Sequence, residues 1–293
     1  MKSCKRSSDP DRIAVTAERI AYKKATKSAG NTFLNSILAG AFIAIAFVFY
    51  VTVTTGSETL PWGVSKCLGG LAFSLGLILV VICPGDLFTS SLLSVIPLAT
   101  GKLKIRTALK NLSITYTGNF IGALGFAILI FLAGQHEAAS GEWGINALKV
   151  ASHKLHHTFL QAVVLGILCN FLVCLAVWMT FAAKSITDKI MALVLPVTMF
   201  VACGFEHCIA NMFMVPMGIL IKNFASPSFW LKAGKHAQEF NELTWGNFFS
   251  DNLLPVTIGN IIGGALLVGL PYWWIHLKEN GNEDEKPVVK KCS

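Results

Sequence analysis

The side chains of this chain that could perform chemistry lie inside two long apolar stretches. Residues 67–101 contain one charged side chain, Asp86. Residues 190–221 contain Glu206, which His207 follows directly. Carboxylates and imidazoles can bind a small polar solute, and an imidazole can exchange a proton with it near neutral pH. This pattern indicates a polar site that apolar elements enclose.

Each stretch is long enough to cross a bilayer, which takes about 20 apolar residues in a helix, and each is interrupted near its middle. The interruptions are residues 83–89 and residues 204–208. Broken helices and ionisable groups at that depth are costly, and proteins tolerate them where they line a path for something polar. The two interruptions therefore predict a channel or transporter for a small polar or charged solute.

The polar residues at the interruptions each have two interpretations. His207 is either a neutral imidazole that hydrogen-bonds a hydroxyl or carbonyl, or a residue of the solute path, and its place beside Glu206 favours the path. Asp86 and Glu206 either act on the solute or cap the exposed N–H groups of their own breaks. Thr89 offers its hydroxyl to His207 or to the solute, or serves as a helix N-cap.

The rest of the composition describes the elements that hold these groups. The chain has 293 residues, of which 54% are hydrophobic and 14% charged, whereas a soluble domain has about 25% charged residues. Four further runs, 28–57, 111–136, 155–183 and 252–277, contain no Asp, Glu, Lys or Arg. Together with the interrupted stretches they predict an all-α membrane protein with six transmembrane helices, of which the second and fifth are broken. The predicted boundaries are an N-terminal segment 1–30, a channel domain 31–277 and a C-terminal tail 278–293.

The basic residues predict the topology of the six spans. The net charge is +8, and Lys and Arg collect in cytoplasmic segments of membrane proteins. The two termini and the loops on their side carry 18 of the 24 Lys and Arg residues, and the alternate loops carry 6. We therefore expect a multi-pass protein with both termini in the cytoplasm, a lipid bilayer as its environment and no nucleic-acid partner.

The two halves of the chain repeat each other. Thr-Phe-Leu followed six residues later by glycine occurs at 32–40 and at 158–166, and a Gly-Asn-x-x-Gly motif occurs at 118–122 and at 259–263. Each half contains three predicted spans, an odd number, so the second half enters the membrane from the opposite face. The sequence thus predicts an inverted 3+3 repeat whose broken helices meet near the midplane.

Four asparagine side chains lie within the predicted spans. They either line the path or bind the broken helices. We assign Asn170 and Asn211 to the path, whereas the matching positions of Asn119 and Asn260 in the repeat favour a structural role. The predicted structural set at the breaks is Gly85, Asp86, Gly204, Asn119 and Asn260.

A histidine-rich cluster precedes the fourth span. His153, His156 and His157 flank Lys154, and no carboxylate falls within the cluster. The pattern favours a solvated face that attracts anions to the pore mouth over a metal site. We expect no metal and no cofactor.

Five segments resemble the formate–nitrite transporter family and its formate channel branch. The resemblance extends from about residue 20 to residue 278. The segments are DLFTS at 86–90, GFEHCIANMF at 204–213, AFVFY at 46–50, HHTF at 156–159 and PVTIGN at 255–260.

The resemblance implies an aquaporin-like fold that assembles as a homopentamer with one pore per protomer. It implies that formate and similar small monovalent anions pass, by a passive or proton-coupled route, across the bacterial inner membrane. It also implies a mobile loop at 85–90 and a central site with Thr89 and His207. The implied apolar constriction consists of Phe73, Leu77, Leu87, Phe88, Val173 and Phe200.

Other functions remain open from the residues. A nitrite or hydrosulfide channel of the same family is one alternative. A neutral-solute pore of the aquaporin type is another, although the Asn-Pro-Ala triplet typical of that class does not occur. A membrane enzyme or cofactor-binding subunit is a third, but bis-histidine haem ligation lacks a second histidine deep in a span. We expect that the protein is not an enzyme.

Two segments depart from the family pattern. Pro84 stands where formate channels usually have glycine or another small residue, and proline fixes φ and removes a hydrogen-bond donor. The first fourteen residues lack the family's usual opening, which is linked to gating.

The predicted topology has a direct test. We expect single cysteines at positions 104 and 141 to react with an impermeant thiol reagent from opposite sides of the membrane, because the two positions lie in loops of opposite sets. The measurement is labelling of intact cells and of inverted vesicles. Labelling of both positions from one side would contradict the topology.

Overall fold

A computed structural model describes residues 9–278. All regular structure in this part of the chain is helical, and no strand occurs there. The first eight residues of the predicted N-terminal segment and residues 279–293 of the predicted tail lie outside the described range.

Eleven helical elements follow one another along the described residues. Short 3₁₀ turns at Ser57–Thr59, Gln135–Glu137, Ala139–Gly141 and Ala237–Phe240 lie in the connections. The helices are α1 (Pro10–Ala25), α2 (Ala29–Thr54), α3 (Trp62–Ile82), α4 (Phe88–Ala99), α5 (Ile105–Leu132), α6 (Glu142–His153), α7 (Phe159–Ala182), α8 (Ile186–Ala202), α9 (Cys208–Phe224), α10 (Pro227–Ala233) and α11 (245–276).

The predicted all-helical membrane fold is confirmed. Five described helical stretches are long and apolar enough to cross a bilayer, and the number reaches six when α9 is joined to α10 across a bend of 106°. Helix α1 differs from these spans because it is amphipathic. It begins at Pro10 after the Asp9 cap and buries an alanine face against the spans.

The spans pack as two pairs around a central pair. Helix α2 packs on α5, α7 packs on α11, and α3 packs on α8 between them. Both outer pairs approach closely at a glycine. A Cβ added at Gly122 would lie 2.0 Å from the carbonyl oxygen of Ile37, and one added at Gly263 would lie 2.2 Å from that of Ile167. Small residues at such crossings let helix backbones touch in a membrane.

The chain leaves the helical conformation at both predicted interruptions. Helix α3 ends at Ile82 and α4 begins at Phe88, while α8 ends at Ala202 and α9 begins at Cys208. Gly204 has a φ of +71°, a left-handed conformation that glycine adopts without steric cost.

The structure also refines the labelling test of the topology. Gly141 is buried and has a φ of +94°, so a cysteine there would be strained and poorly accessible. The neighbouring Glu142 is exposed and is the better position for the label.

Candidate functional site

The two interruptions meet at one hydrogen bond. The Thr89 hydroxyl lies 3.2 Å from Nε2 of His207, and the two side chains are 0% and 3% exposed. Thr89 is in the first turn of α4, and His207 immediately precedes α9. Residues 118 positions apart in the sequence are thus brought together.

The hydrogen bonds of His207 define the tautomer of its neutral ring. Nδ1 accepts a hydrogen bond of 3.2 Å from the backbone N–H of Ala210 and so caps α9. A nitrogen that accepts carries no proton, so in the neutral ring the proton is on Nε2. Nε2 donates to Thr89, whose own hydroxyl hydrogen is then free for a solute. The pair can therefore present donors to an anion without carrying a charge.

Asn119 and Asn260 bind the two interruptions in the same way. Oδ1 of Asn119 accepts from the Phe88 N–H at 2.8 Å, and its Nδ2 donates to the carbonyl oxygens of Asp86 and Ser36 at 2.9 and 2.7 Å. Each amide thereby satisfies backbone groups that the interrupted helix leaves unpaired.

The second amide repeats this pattern one half of the chain later. Oδ1 of Asn260 accepts from the Cys208 N–H at 2.9 Å, and its Nδ2 donates to the carbonyl oxygens of Glu206 and Gly166 at 3.0 and 2.8 Å. Both amides are fully buried, and their hydrogen-bonding groups are all used on the backbone.

Both acidic side chains at the interruptions are paired with lysines. Asp86 contacts Lys27 at 2.8 Å and Lys24 at 3.9 Å, and Glu206 contacts Lys154 at 2.9 Å. Among the contacts of residues 9–278, neither carboxylate caps a backbone N–H of its own break. The capping interpretation is therefore wrong for both, because a nearby ammonium group competes successfully for each carboxylate.

The second oxygen of Glu206 is held by amides. Asn211 donates to it at 2.6 Å and Asn252 at 3.4 Å, and Asn252 also donates to the carbonyl oxygen of Lys154 at 2.8 Å. Asn170 has a comparable place at the other interruption, where it donates to the carbonyl oxygen of Thr89 at 3.3 Å. Of the two asparagines assigned to the path, Asn211 therefore donates to the side chain of Glu206 and Asn170 to the backbone of Thr89.

Sequence reasoning missed Lys24, Lys27, Lys154 and Asn252. Lys154 was grouped with the histidine cluster as part of a solvated face, and this is wrong because its side chain is buried against Glu206. The only signal in the sequence was its position one residue before a charge-free run.

Two of the predicted constriction residues, Phe200 and Phe73, lie beside His207 in the described residues. The rings of Phe73 and Phe200 lie edge to face at 6.1 Å, and Phe200 stacks on His207 at 6.2 Å. Phe88 has a different contact, since its ring packs on Tyr116 of α5 at 4.9 Å. Three further aliphatic side chains are at most 4% exposed, namely Leu77, Leu87 and Val173.

One cavity reaches His207, and a second lies at the other interruption beside Gly85 and Ser90. One, here called the Lys154 vestibule, has a volume of about 260 Å³ and is lined by Phe73, Phe200, His207 and three lysines, Lys66, Lys149 and Lys154. The other, the Lys24 vestibule, has about 350 Å³ and is lined by Gly85, Ser90 and three lysines, Lys24, Lys27 and Lys189. Both approaches are therefore electropositive.

The charge of the vestibules comes from lysine rather than histidine. Burial lowers the pKa of His153 and of His157, and nearby Lys154 lowers both further. Their rings are therefore neutral at pH 7. Burial also lowers the pKa of the Lys24 amine, while the Asp86 carboxylate opposes this shift.

Comparison with known proteins agrees with this architecture. The family model described as formate/nitrite transporter matches residues 11–274. The chain is 55% identical over 271 residues to the formate channel FocA of Escherichia coli strain K12, covering 92% of this chain and 95% of that one. It is 47% identical over 254 residues to the formate channel FocA of Haemophilus influenzae, with 87% and 89% covered.

Two solved structures share the fold. A structure described as a pentameric formate channel with formate bound superposes with a TM-score of 0.81 at 52% identity and covers 89% of this chain and 99% of its own. A structure described as an FNT family ion channel gives a TM-score of 0.73 at 26% identity, with 91% and 98% covered.

The asparagine contacts generate a stability prediction. We expect Asn119→Leu and Asn260→Leu to lower the thermal unfolding midpoint of the purified protein in detergent, because each leaves two buried backbone groups of its interruption unpaired at about 1–3 kcal/mol per group. Asn31→Leu is the matched control, since Asn31 is exposed at the start of α2. Midpoints of the three variants that agree within error would refute the structural role of the two amides.

Proposed function

Because the chain belongs to the formate/nitrite transporter family, we propose that it forms a homopentamer that conducts formate and similar small monovalent anions across the bacterial inner membrane. The family assignment rests on a model match over most of the chain and on relatives at 55% and 47% identity. Two relatives are formate channels by name, and one similar structure is described as pentameric with formate bound. Each protomer contains its own pore.

The observation that carries this proposal is the Thr89–His207 pair between two lysine-lined vestibules. Lysines on both approaches raise the local concentration of anions and disfavour cations. A neutral solute would gain nothing from them, which argues against a pore of the aquaporin type. The protein moves its solute and is not an enzyme.

The apolar residues around the pair act on the hydration of the anion. A narrow apolar passage opposes a hydrated ion, and moving a bare carboxylate into apolar surroundings is costly. Formate becomes cheaper to move when it shares a proton, because the neutral acid has less hydration to lose. His207 takes up this proton from water to become an imidazolium, passes it to the formate anion, and returns to its neutral form.

Donors at the centre fit a small carboxylate. Nε2 of His207 donates to the Thr89 hydroxyl at 3.2 Å, and the free hydroxyl hydrogen of Thr89 can donate to a carboxylate oxygen of the solute. Glu206, Asn170 and Asn211 hold this arrangement in place from the surrounding helices.

The architecture of this pore is an inverted 3+3 repeat with its second and fifth spans broken. The equivalent hydrogen bonds of Asn119 and Asn260 support this. Asn119 donates to Ser36 and Asn260 to Gly166, so these two residues occupy equivalent positions in the two halves. The backbone N–H groups of Asp86 and Glu206 donate to the residues just before them, Asn35 and Leu165, which gives the same register.

The register differs from the sequence match by one helical turn. The Thr-Phe-Leu motifs pair residue 40 with residue 166, whereas the hydrogen bonds pair residue 36 with residue 166. Four residues are close to one turn of helix, so the same face of the helix is used in both alignments.

Both termini lie in the cytoplasm, as the distribution of 18 and 6 basic residues supports. The Lys24 vestibule is then the cytoplasmic approach and the Lys154 vestibule the outer one. Gly85 of the first interruption and Ser90 in the first turn of α4 form one wall of the cytoplasmic approach, where Lys24 of α1 donates to the carbonyl oxygen of Gly85 at 3.4 Å.

The apolar passage has a selectivity test. We expect Leu87→Ala and Phe200→Ala to raise the leak of larger monocarboxylates such as acetate relative to formate, because each removes buried apolar bulk next to the pair. The measurement is flux of both anions into proteoliposomes. Leu34→Ala, at an exposed position of α2, is the control. Size selectivity equal to that of the control in both variants would remove these two residues from the passage.

The proton-sharing role of His207 has a separate test. An unperturbed imidazole titrates near ~6.5, whereas an asparagine keeps a donor and does not titrate. We expect His207→Asn to fold and assemble, to lose one direction of formate transport, and to show a flattened pH dependence between about pH 5 and 8.

The measurement is formate flux in both directions against pH for the wild type and His207→Asn. His156→Asn is a matched control, because His156 is exposed outside the vestibule lining. Superimposable pH profiles of the wild type and His207→Asn would make His207 a structural donor and end the proton-sharing mechanism.

A further inference from the structure

A third basic cavity lies beside the proposed solute path. It has a volume of about 440 Å³ and is found where the turn between α1 and α2 meets the first turns of α5. We call it the α2–α5 pocket. It shares one lining residue, Lys27, with the Lys24 vestibule. Its other basic side chains are Arg106 and Lys110 of α5.

The charge of the α2–α5 pocket is not neutralised by protein. No Asp or Glu is among its lining residues. Lys27 is paired with Asp86 at 2.8 Å, but Arg106 and Lys110 form no ion pair with any residue in the described range 9–278. Two cations therefore face one cavity without a counter-charge.

The position of these cations on their helix is itself unfavourable. Helix α5 begins at Ile105, and its cap residue Lys104 makes no side-chain hydrogen bond to the first turn. The start of a helix carries partial positive charge within its first turn, which repels Arg106. An anion bound in the pocket would compensate both the side chains and the helix terminus.

A buried hydroxyl on the opposite wall also lacks a partner. Thr32 of α2 lines the pocket and is 1% exposed, and its Oγ1 has no hydrogen-bond partner. A buried hydroxyl without a partner costs free energy. Thr32 is thus a second and independent sign of an absent polar ligand.

The depth of the pocket indicates which anion it accepts. The wall of the pocket near the start of α5 is basic. Ile114, on another part of the wall, lies two turns beyond Arg106 in the membrane-spanning part of α5. On the same two helices, α2 and α5, large apolar side chains outside the pocket lining are exposed, with Leu34 at 63%, Leu38 at 49% and Leu109 at 56%. The pocket therefore lies at the boundary between the basic surface and the lipid-facing surface.

We propose that the α2–α5 pocket binds the phosphodiester headgroup of an anionic membrane lipid such as phosphatidylglycerol. Arg106 and Lys110 bind the phosphate, and Thr32 donates its hydroxyl to the headgroup. The acyl chains run along the exposed leucines of α2 and α5. Basic pockets between transmembrane helices bind anionic headgroups in this manner, and the exposed leucines favour a lipid over free phosphate, which has no apolar part.

The test is lipid retention by the purified pentamer, measured by native mass spectrometry after exchange into phosphatidylglycerol or phosphatidylcholine. We expect the wild type to retain phosphatidylglycerol in preference to phosphatidylcholine. The double variant Arg106→Gln/Lys110→Gln should lose affinity for phosphatidylglycerol by roughly tenfold or more, since each basic residue near an anionic headgroup contributes substantially. Thr32→Val, which removes the hydroxyl at nearly constant shape, should lose less.

A control with the same loss of charge separates the pocket from the general basic surface. Lys23→Gln/Lys104→Gln removes two exposed lysines outside the pocket lining and should retain phosphatidylglycerol as the wild type does. Equal losses in the two double variants, or equal retention of both lipids by the wild type, would overturn the proposal.

A second arm separates the lipid from free phosphate. Inorganic phosphate at millimolar concentration should not displace phosphatidylglycerol from the wild type, and complete displacement would make the site one for small anions. Pentamer integrity and formate flux are measured on the same samples. If the Arg106→Gln/Lys110→Gln pentamer dissociates in both lipids alike, the pocket is a subunit contact and the lipid proposal fails.

Discussion

Backbone pairing at the two interruptions is the constraint on which the rest of this structure depends. A bilayer supplies no water to hydrogen-bond an exposed N–H or carbonyl, and each interruption exposes both. Asn119 and Asn260 meet this demand from neighbouring helices, each with one acceptor and two donor contacts. Because the amides fix residues 86–88 and 206–208, they also determine where Thr89 and His207 stand. The geometry of the site is therefore a consequence of satisfying the broken backbone.

The charges follow a second constraint. An isolated carboxylate in a membrane interior is very costly, and both carboxylates here have ammonium partners within 2.9 Å. Lysines still outnumber these carboxylates: Lys66 and Lys149 also line one vestibule, although Lys149 contacts Glu58 at 3.1 Å, and Lys24 and Lys189 also line the other. Both vestibules are thus cationic, although each carboxylate next to an interruption is neutralised by a paired lysine.

Sequence reasoning reached the local features of this molecule and missed the long-range ones. Apolar runs and charge-free lengths predicted the helices, and the interruptions predicted where helix is lost, because both depend on a few neighbouring residues. The pairing of Lys154 with Glu206 joins residues 52 apart, and that of Asn252 with Lys154 joins residues 98 apart. No local pattern marks such partners. The one-turn difference in the register of the proposed repeat has the same origin, because similar motifs one turn apart on a helix are distinguished only by packing.

The separation of charge from the centre of the path has a physical reason. Conduction requires that a site attract the ion and also release it. A bare ammonium beside the apolar passage would hold an anion strongly, since water does not screen the interaction there. In this structure the buried lysine beside His207, Lys154, already has Glu206 as a partner at 2.9 Å. The centre itself offers hydrogen-bond donors that are neutral. In the proposed function the anion is therefore drawn in by charge at the vestibules and bound at the centre by hydrogen bonds, which a shared proton can make and break.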